Sequence, residues 1–339
     1  MIFHPWILGL ILTQITLFMA YSLGVFHAWT IYQGWHFESC TEQQYMLEKK
    51  TYLVSTVMNF TLFLQILMLF MLILTADDLS HVLPGAMCAT GTFSANSYGF
   101  PLLILKIAAA FLYFFWLVIN YLDNQLETYP LIRLKYSILI LLFPLILLEV
   151  GLLFAFALNL DPSVITSCCG SLFSETESGI GSAMAGLPPH IILPLFFGVI
   201  FLLILLNFPF HACNHQKNRS KLLLESASWM FFFIFAILLI ISFISPYIYE
   251  MPAHKCPFDF IRGEYHYIGI PIYFSLFVAS AAGMAKGLLE CLRRSKQLTE
   301  YILVLQQTFH KTAFGGMLIF LFFSFLPFVL YYGKTGRLL

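Results

Sequence analysis

The chain has 339 residues, 60% of them hydrophobic and 10% charged, with 37 Phe and a mean hydropathy of +0.85. Soluble domains run at roughly 45–50% apolar and 25% charged, so this composition belongs to a chain whose solvent is lipid. Seventeen basic residues balance 17 acidic ones with no basic arm or block of like charge, which removes the electrostatic reason to expect a nucleic-acid partner.

A helix needs about 20 apolar residues to cross a hydrocarbon core. Eight runs satisfy this, near 6–28, 52–75, 101–122, 137–160, 189–209, 226–248, 268–289 and 313–332. No polar stretch between them is long enough to fold separately. The expected architecture is therefore all-α, a polytopic membrane helix bundle forming a single integral membrane domain over residues 1–339. The first run, HPWILGLILTQITLFMAYSLGVF, lacks a basic start and a small-residue cleavage site and is read as a retained helix. The polar stretch TEQQYMLEKKTY runs directly into the second run, and Ser39 with Glu42 has the spacing of a capping box, so that helix should protrude from the bilayer.

Lys and Arg concentrate on the cytoplasmic side of membrane proteins. The ends of the first, third, fifth and seventh runs and the connections that follow them hold twelve of these residues, Lys135 and Lys286 included. The other side holds four, Lys255, Arg262, Lys334 and Arg337. Both termini are thus expected on the non-cytoplasmic side, and the compact loops point to a bacterial cytoplasmic (inner) membrane. Tyr247, Tyr249, Tyr331 and Tyr332 would form an outer aromatic belt, with Trp29 and Trp229 at the inner boundary. The seventh run carries Ser275, Ala279, Gly283 and Gly287 at intervals of four, a small face for close helix packing. Beyond it, Leu298, Ile302, Leu305 and Phe309 follow Arg293, Arg294 and Lys296 with helical spacing, as in a helix lying on the inner leaflet.

This topology divides the cysteines. Cys88, Cys168, Cys169 and Cys256 fall in the outer loops, and Cys40, Cys213 and Cys291 at the inner face. An even set in an oxidising compartment can pair, whereas an odd set in a reducing one can remain as thiols. Adjacent Cys168 and Cys169 bridge each other only through a strained ring. If all four outer cysteines pair, Cys88 takes one of the two and Cys256 the other, and three loops are tied together. The same four sulfurs admit three chemistries: structural staples, thiol–disulfide exchange, or a soft-metal site for copper or zinc. For the last, His254, Cys256, His266 and His81 are the candidate ligands, with His190 on the same face.

Cys256–Asp259, CPFD, resembles the C-P-x-C motif of thiol oxidoreductases with Asp259 in place of the second cysteine. The resemblance implies a nucleophilic Cys256, and the departure requires Cys168 or Cys169 to resolve a mixed disulfide. Bacterial disulfide-forming quinone reductases and the vitamin K epoxide reductase relatives also carry outward cysteines on a helical bundle. The similarity extends to a few residues and the general layout, with more helices here, and it names no family.

Within the membrane, Glu149 sits mid-helix in FPLILLEVGLLF, where a carboxylate must be paired, hydrated or protonated. Lys106 is the expected partner, with Asn59 and Gln65 as hydrogen-bonding alternatives. The pair is read as an interhelical clamp, a proton relay, or a contact for a quinone headgroup. No C-x-x-C-H, Walker A or H-E-x-x-H sequence occurs.

The expected function is a thiol–disulfide or electron-transfer component, with Cys88, Cys168, Cys169 and Cys256 carrying the exchange beside another membrane or periplasmic protein. A non-catalytic membrane subunit or transporter with structural disulfides, and copper or zinc handling, are the alternatives.

Overall fold

A computed structural model describes residues 3–35, 42–86, 88–126, 129–161, 188–207, 219–252, 254–293 and 296–339. Every described element is helical, and eight runs are long and apolar enough to cross a membrane. In hydrocarbon each backbone N–H and C=O must be satisfied within its own segment, and helices achieve this. Several hydroxyls in the spans are satisfied in the same way: Thr13, Thr16 and Ser22 each donate to the carbonyl four residues back.

The helices are α1 (Pro5–Gly34), α2 (Glu42–Leu79), α3 (Ala89–Ser94), α4 (Gly99–Asp123), α5 (Ile132–Leu158), α6 (Pro189–Asn207), α7 (Arg219–Leu239), α8 (Ser245–Tyr249), α9 (Gly269–Cys291) and α10 (Lys296–Thr335). A π-helical turn, Ile240–Ile244, joins α7 to α8. The polar stretch does run straight into the second span: α2 has 38 residues and so is about 57 Å long, well beyond a hydrocarbon core of about 30 Å. Ser39 of the expected capping box lies outside the described residues. The segment expected on the inner leaflet instead continues into the last span, the two forming the single 40-residue α10. Its apolar positions Leu298 and Ile302 are fully buried, which gives that stretch a protein partner where lipid was expected.

The chain divides into two compact units, residues 1–84 with 92–166, and residues 85–91 with 167–339. In the first, α1 packs on α2 and α5, α2 on α4, and α4 on α5, closing a ring of four helices. In the second, α7 packs on α6 and α9, and α9 on α10. The small face of α9 explains these contacts. A Cβ at Gly283 would lie 2.2 Å from the Trp229 ring of α7, one at Gly287 would lie 2.1 Å from Ser226 Oγ, and Ala279 meets Gly316 of α10. Ser226 also accepts from the Gly287 N–H and donates to the Met284 carbonyl, so α7 and α9 are tied at their closest approach.

Two expectations about the membrane boundary are corrected. Trp229 is fully buried beneath α9 and does not belong to a belt, and Tyr247 and Tyr249 are buried too, whereas Trp29 is half exposed. Lys135 and Lys286, read as flanking cations, are buried and paired, Lys135 Nζ lying 2.7 Å from Asp123 Oδ2 and Lys286 bonding Glu225. Close packing overrides the interfacial preference of the rings. A carboxylate within reach makes burial of each ammonium tolerable.

Candidate functional site

The segment between α8 and α9 is held in one shape by tyrosines. The π turn closes where Ser245 donates to the Ile240 carbonyl ahead of Pro246, which has no N–H of its own. This carries Tyr249, at the end of α8, to the loop. Its hydroxyl donates to the Cys256 carbonyl at 2.8 Å and accepts from the Phe260 N–H at 3.1 Å. Tyr273 of α9 donates to the Pro257 carbonyl, and its ring stacks on Phe260 at 5.6 Å. Gly269 leaves room for Phe260, since a Cβ there would approach its ring to 2.7 Å. Left-handed backbone at Glu250, His266 and Tyr267 turns the chain around this knot.

The side chains so positioned meet residues 85–91. Cys256 Sγ lies 3.2 Å from Cys88 Sγ, and both cysteines are fully buried. A disulfide is about 2.05 Å long, so no bond joins them, and closing the gap needs a shift of about 1.1 Å. The Phe258 N–H points at Cys256 Sγ at 3.4 Å, and Thr90 Oγ1 is 3.7 Å from the same sulfur. Asp259 completes the group: one of its carboxylate oxygens and the two sulfurs all lie within 4.8 Å of one another.

Asp259 is 7% exposed, and its Oδ2 meets His254 Nε2 at 2.9 Å. Its Oδ1 is buried without a hydrogen-bond partner among the described residues, an arrangement that costs about 1–3 kcal/mol when nothing satisfies it. Burial raises the Asp259 pKa above the ordinary carboxylate value, and the His254 hydrogen bond opposes the rise. The group therefore keeps a buried carboxylate oxygen for which the described residues supply no donor. It suits either a covalent bond between the sulfurs or a cation among the three ligands.

The sequence-derived candidates divide accordingly. Cys88 and Cys256 come together and His254 joins them through Asp259. Cys168 and Cys169 lie outside the described residues. His266 is exposed on the same loop and His190 is exposed at the start of α6, and neither belongs to the group; His81 is exposed in the first unit. The i+3 position of CPFD does point into the site, occupied by a carboxylate, and the second sulfur arrives from a segment 168 residues away. Asp259 and Thr90 as neighbours of the sulfurs were missed, although the spacing of the motif was the available signal for Asp259.

Inside the first unit, Lys106 and Glu149 meet as expected, Nζ to Oε2 at 3.0 Å with both side chains buried. Tyr113 donates to Glu149 Oε1 at 2.7 Å, and Lys106 also donates to Gln14 Oε1 at 3.3 Å. Asn59 is engaged elsewhere, accepting from Asn120, and the Gln65 amide has no hydrogen-bond partner among the described residues. In the second unit Lys286 reaches Asn207, Glu225 and His310.

Compared with known proteins, the sequence matches no family model, and no curated protein or solved structure shows significant similarity to it.

Proposed function

We propose that this multi-pass membrane protein is a thiol redox component in which Cys88 and Cys256 cycle between dithiol and disulfide. The observation that carries this reading is the approach of two sulfurs from distant segments to 3.2 Å within a loop fixed by Tyr249 and Tyr273. In the oxidising step two S–H bonds break and one S–S bond forms. The two protons and two electrons reduce a carrier of the quinone class to its quinol. Return to the dithiol draws on a pool of small thiols, two of which give up their hydrogens and leave joined as a disulfide.

Both sulfurs are buried, and an attacking thiol must reach a sulfur to exchange with it. Burial therefore favours a small lipid-soluble oxidant over direct attack by a bulky protein thiol. The cation distribution supports placing this loop on the non-cytoplasmic side of an inner membrane.

The test uses pre-reduced full-length protein in detergent with a short-chain quinone. Reduction of one quinone per chain is expected, with loss of alkylation at Cys88 and Cys256 together, and Cys88→Ser or Cys256→Ser should abolish it. Thiols that stay alkylatable after quinone treatment contradict the reading. A pair that resists mild reductant, and whose removal only destabilises the protein, makes the sulfurs a structural staple.

A further inference from the structure

We infer that the reduced pocket of Cys88, Cys256 and Asp259 binds one thiophilic d10 metal ion, monovalent copper or zinc, through two sulfurs and a carboxylate oxygen. Three features carry the assignment. The ligand atoms of the three residues lie within 4.8 Å of one another, near enough for small side-chain movements to gather them around one centre at bond lengths of about 2.0–2.3 Å. All three residues are buried, and two thiolates with a carboxylate carry negative charge that such a pocket accommodates only with a cation or with protons. Asp259 Oδ1 is a buried acceptor with no hydrogen-bond partner among the described residues, an unmet valence at this group.

The surroundings fit a metal centre as well. His254 holds Asp259 by Oδ2 at 2.9 Å, as residues behind a metal ligand do, fixing the carboxylate without occupying both oxygens. The backbone that bears Cys256 is pinned at its own carbonyl and at that of Pro257, so the ligands are positioned before an ion arrives. Asp259 also acquires a role here. A carboxylate at the i+3 position of CPFD cannot resolve a mixed disulfide, but it can ligate. Two sulfurs favour copper(I) or zinc over hard cations such as magnesium or calcium.

Binding stands on the ligand geometry, and its regulation rests on the thiol redox reading. A disulfide consumes both sulfurs, so oxidation releases the ion and metal protects the thiols. The experiment loads purified, reduced, full-length protein with copper(I) or zinc against a chromophoric competitor chelator. Metal content and alkylation of each cysteine are then read by mass spectrometry.

One equivalent per chain is expected for at least one of the two metals, with Cys88 and Cys256 protected together. Asp259→Asn and His254→Ala should each weaken binding by about 10–100-fold, and each retains a side chain or site close enough to native to check folding by gel filtration. Less than a tenth of an equivalent of either metal on the wild-type chain overturns the assignment. So does binding that leaves Cys88 and Cys256 as alkylatable as before. Metal binding with no disulfide after quinone treatment upholds the site and refutes the redox reading; a disulfide with no metal binding does the reverse.

Discussion

Among the buried polar clusters of the described residues, two of opposite character stand one in each unit. In Lys106, Glu149, Tyr113 and Gln14 the charges cancel and each carboxylate oxygen has a donor, Lys106 on Oε2 and Tyr113 on Oε1. In the group of Cys88, Cys256, Asp259 and His254, one carboxylate oxygen has no hydrogen-bond partner among the described residues. The first arrangement is what a low-dielectric interior requires of any charge it keeps. The second leaves a buried acceptor that folding alone gives no reason to keep open, and the difference separates charges met within the helices from a carboxylate met on one side only.

Breaking the closed cluster should produce the largest effect. Lys106→Met or Glu149→Leu leaves the other ion unpaired, so a loss of about 3–5 kcal/mol is expected in denaturant unfolding in micelles. The double variant should recover most of it, because an apolar pair needs no compensation. Equal losses in the single and double variants would show that the ions do not act as a pair. The packing face of α9 comes next. Gly283→Leu forces the Trp229 ring aside and should cost about 1–3 kcal/mol by the same measurement, while leaving thiol chemistry at the loop intact.

The open cluster is sharpened by loosening its support. Tyr273→Phe strands the Pro257 carbonyl and should cost about 1 kcal/mol, with a larger consequence in rate, as Cys256 becomes faster to alkylate. Tyr113→Phe is the smallest change, about 0.6 kcal/mol, the average worth of an interhelical hydrogen bond within membranes. It should leave Cys88 and Cys256 reactivity untouched. A change there would link two clusters that the comparison treats as separate in kind.

The spans were legible because lipid imposes one rule on every one of them, about 20 apolar residues in helical form, and because Glu149 and Lys106 stand out in such a background. The small face of α9 was legible for a related reason, since Gly and Ala at intervals of four have few other uses in a span. The pairs Lys135–Asp123 and Lys286–Glu225 were not, because a lysine near a helix end looks the same whether it meets lipid headgroups or a buried carboxylate. At the loop Cys256 was visible, but Asp259 three residues on was read only as the loss of a second cysteine. The joining of Cys256 with Cys88 was not visible, since a contact across 168 residues depends on how tyrosines at 249 and 273 fold the chain, and single-sequence spacing carries no trace of that.

The most direct test is non-reducing peptide mapping of the purified full-length protein, once in mild reductant and once after oxidation. The account predicts two alkylatable thiols at Cys88 and Cys256 in the first sample and a peptide pair joined Cys88 to Cys256 in the second. Finding each of them bonded only to Cys168 or Cys169, or both unbonded in each sample, would contradict it.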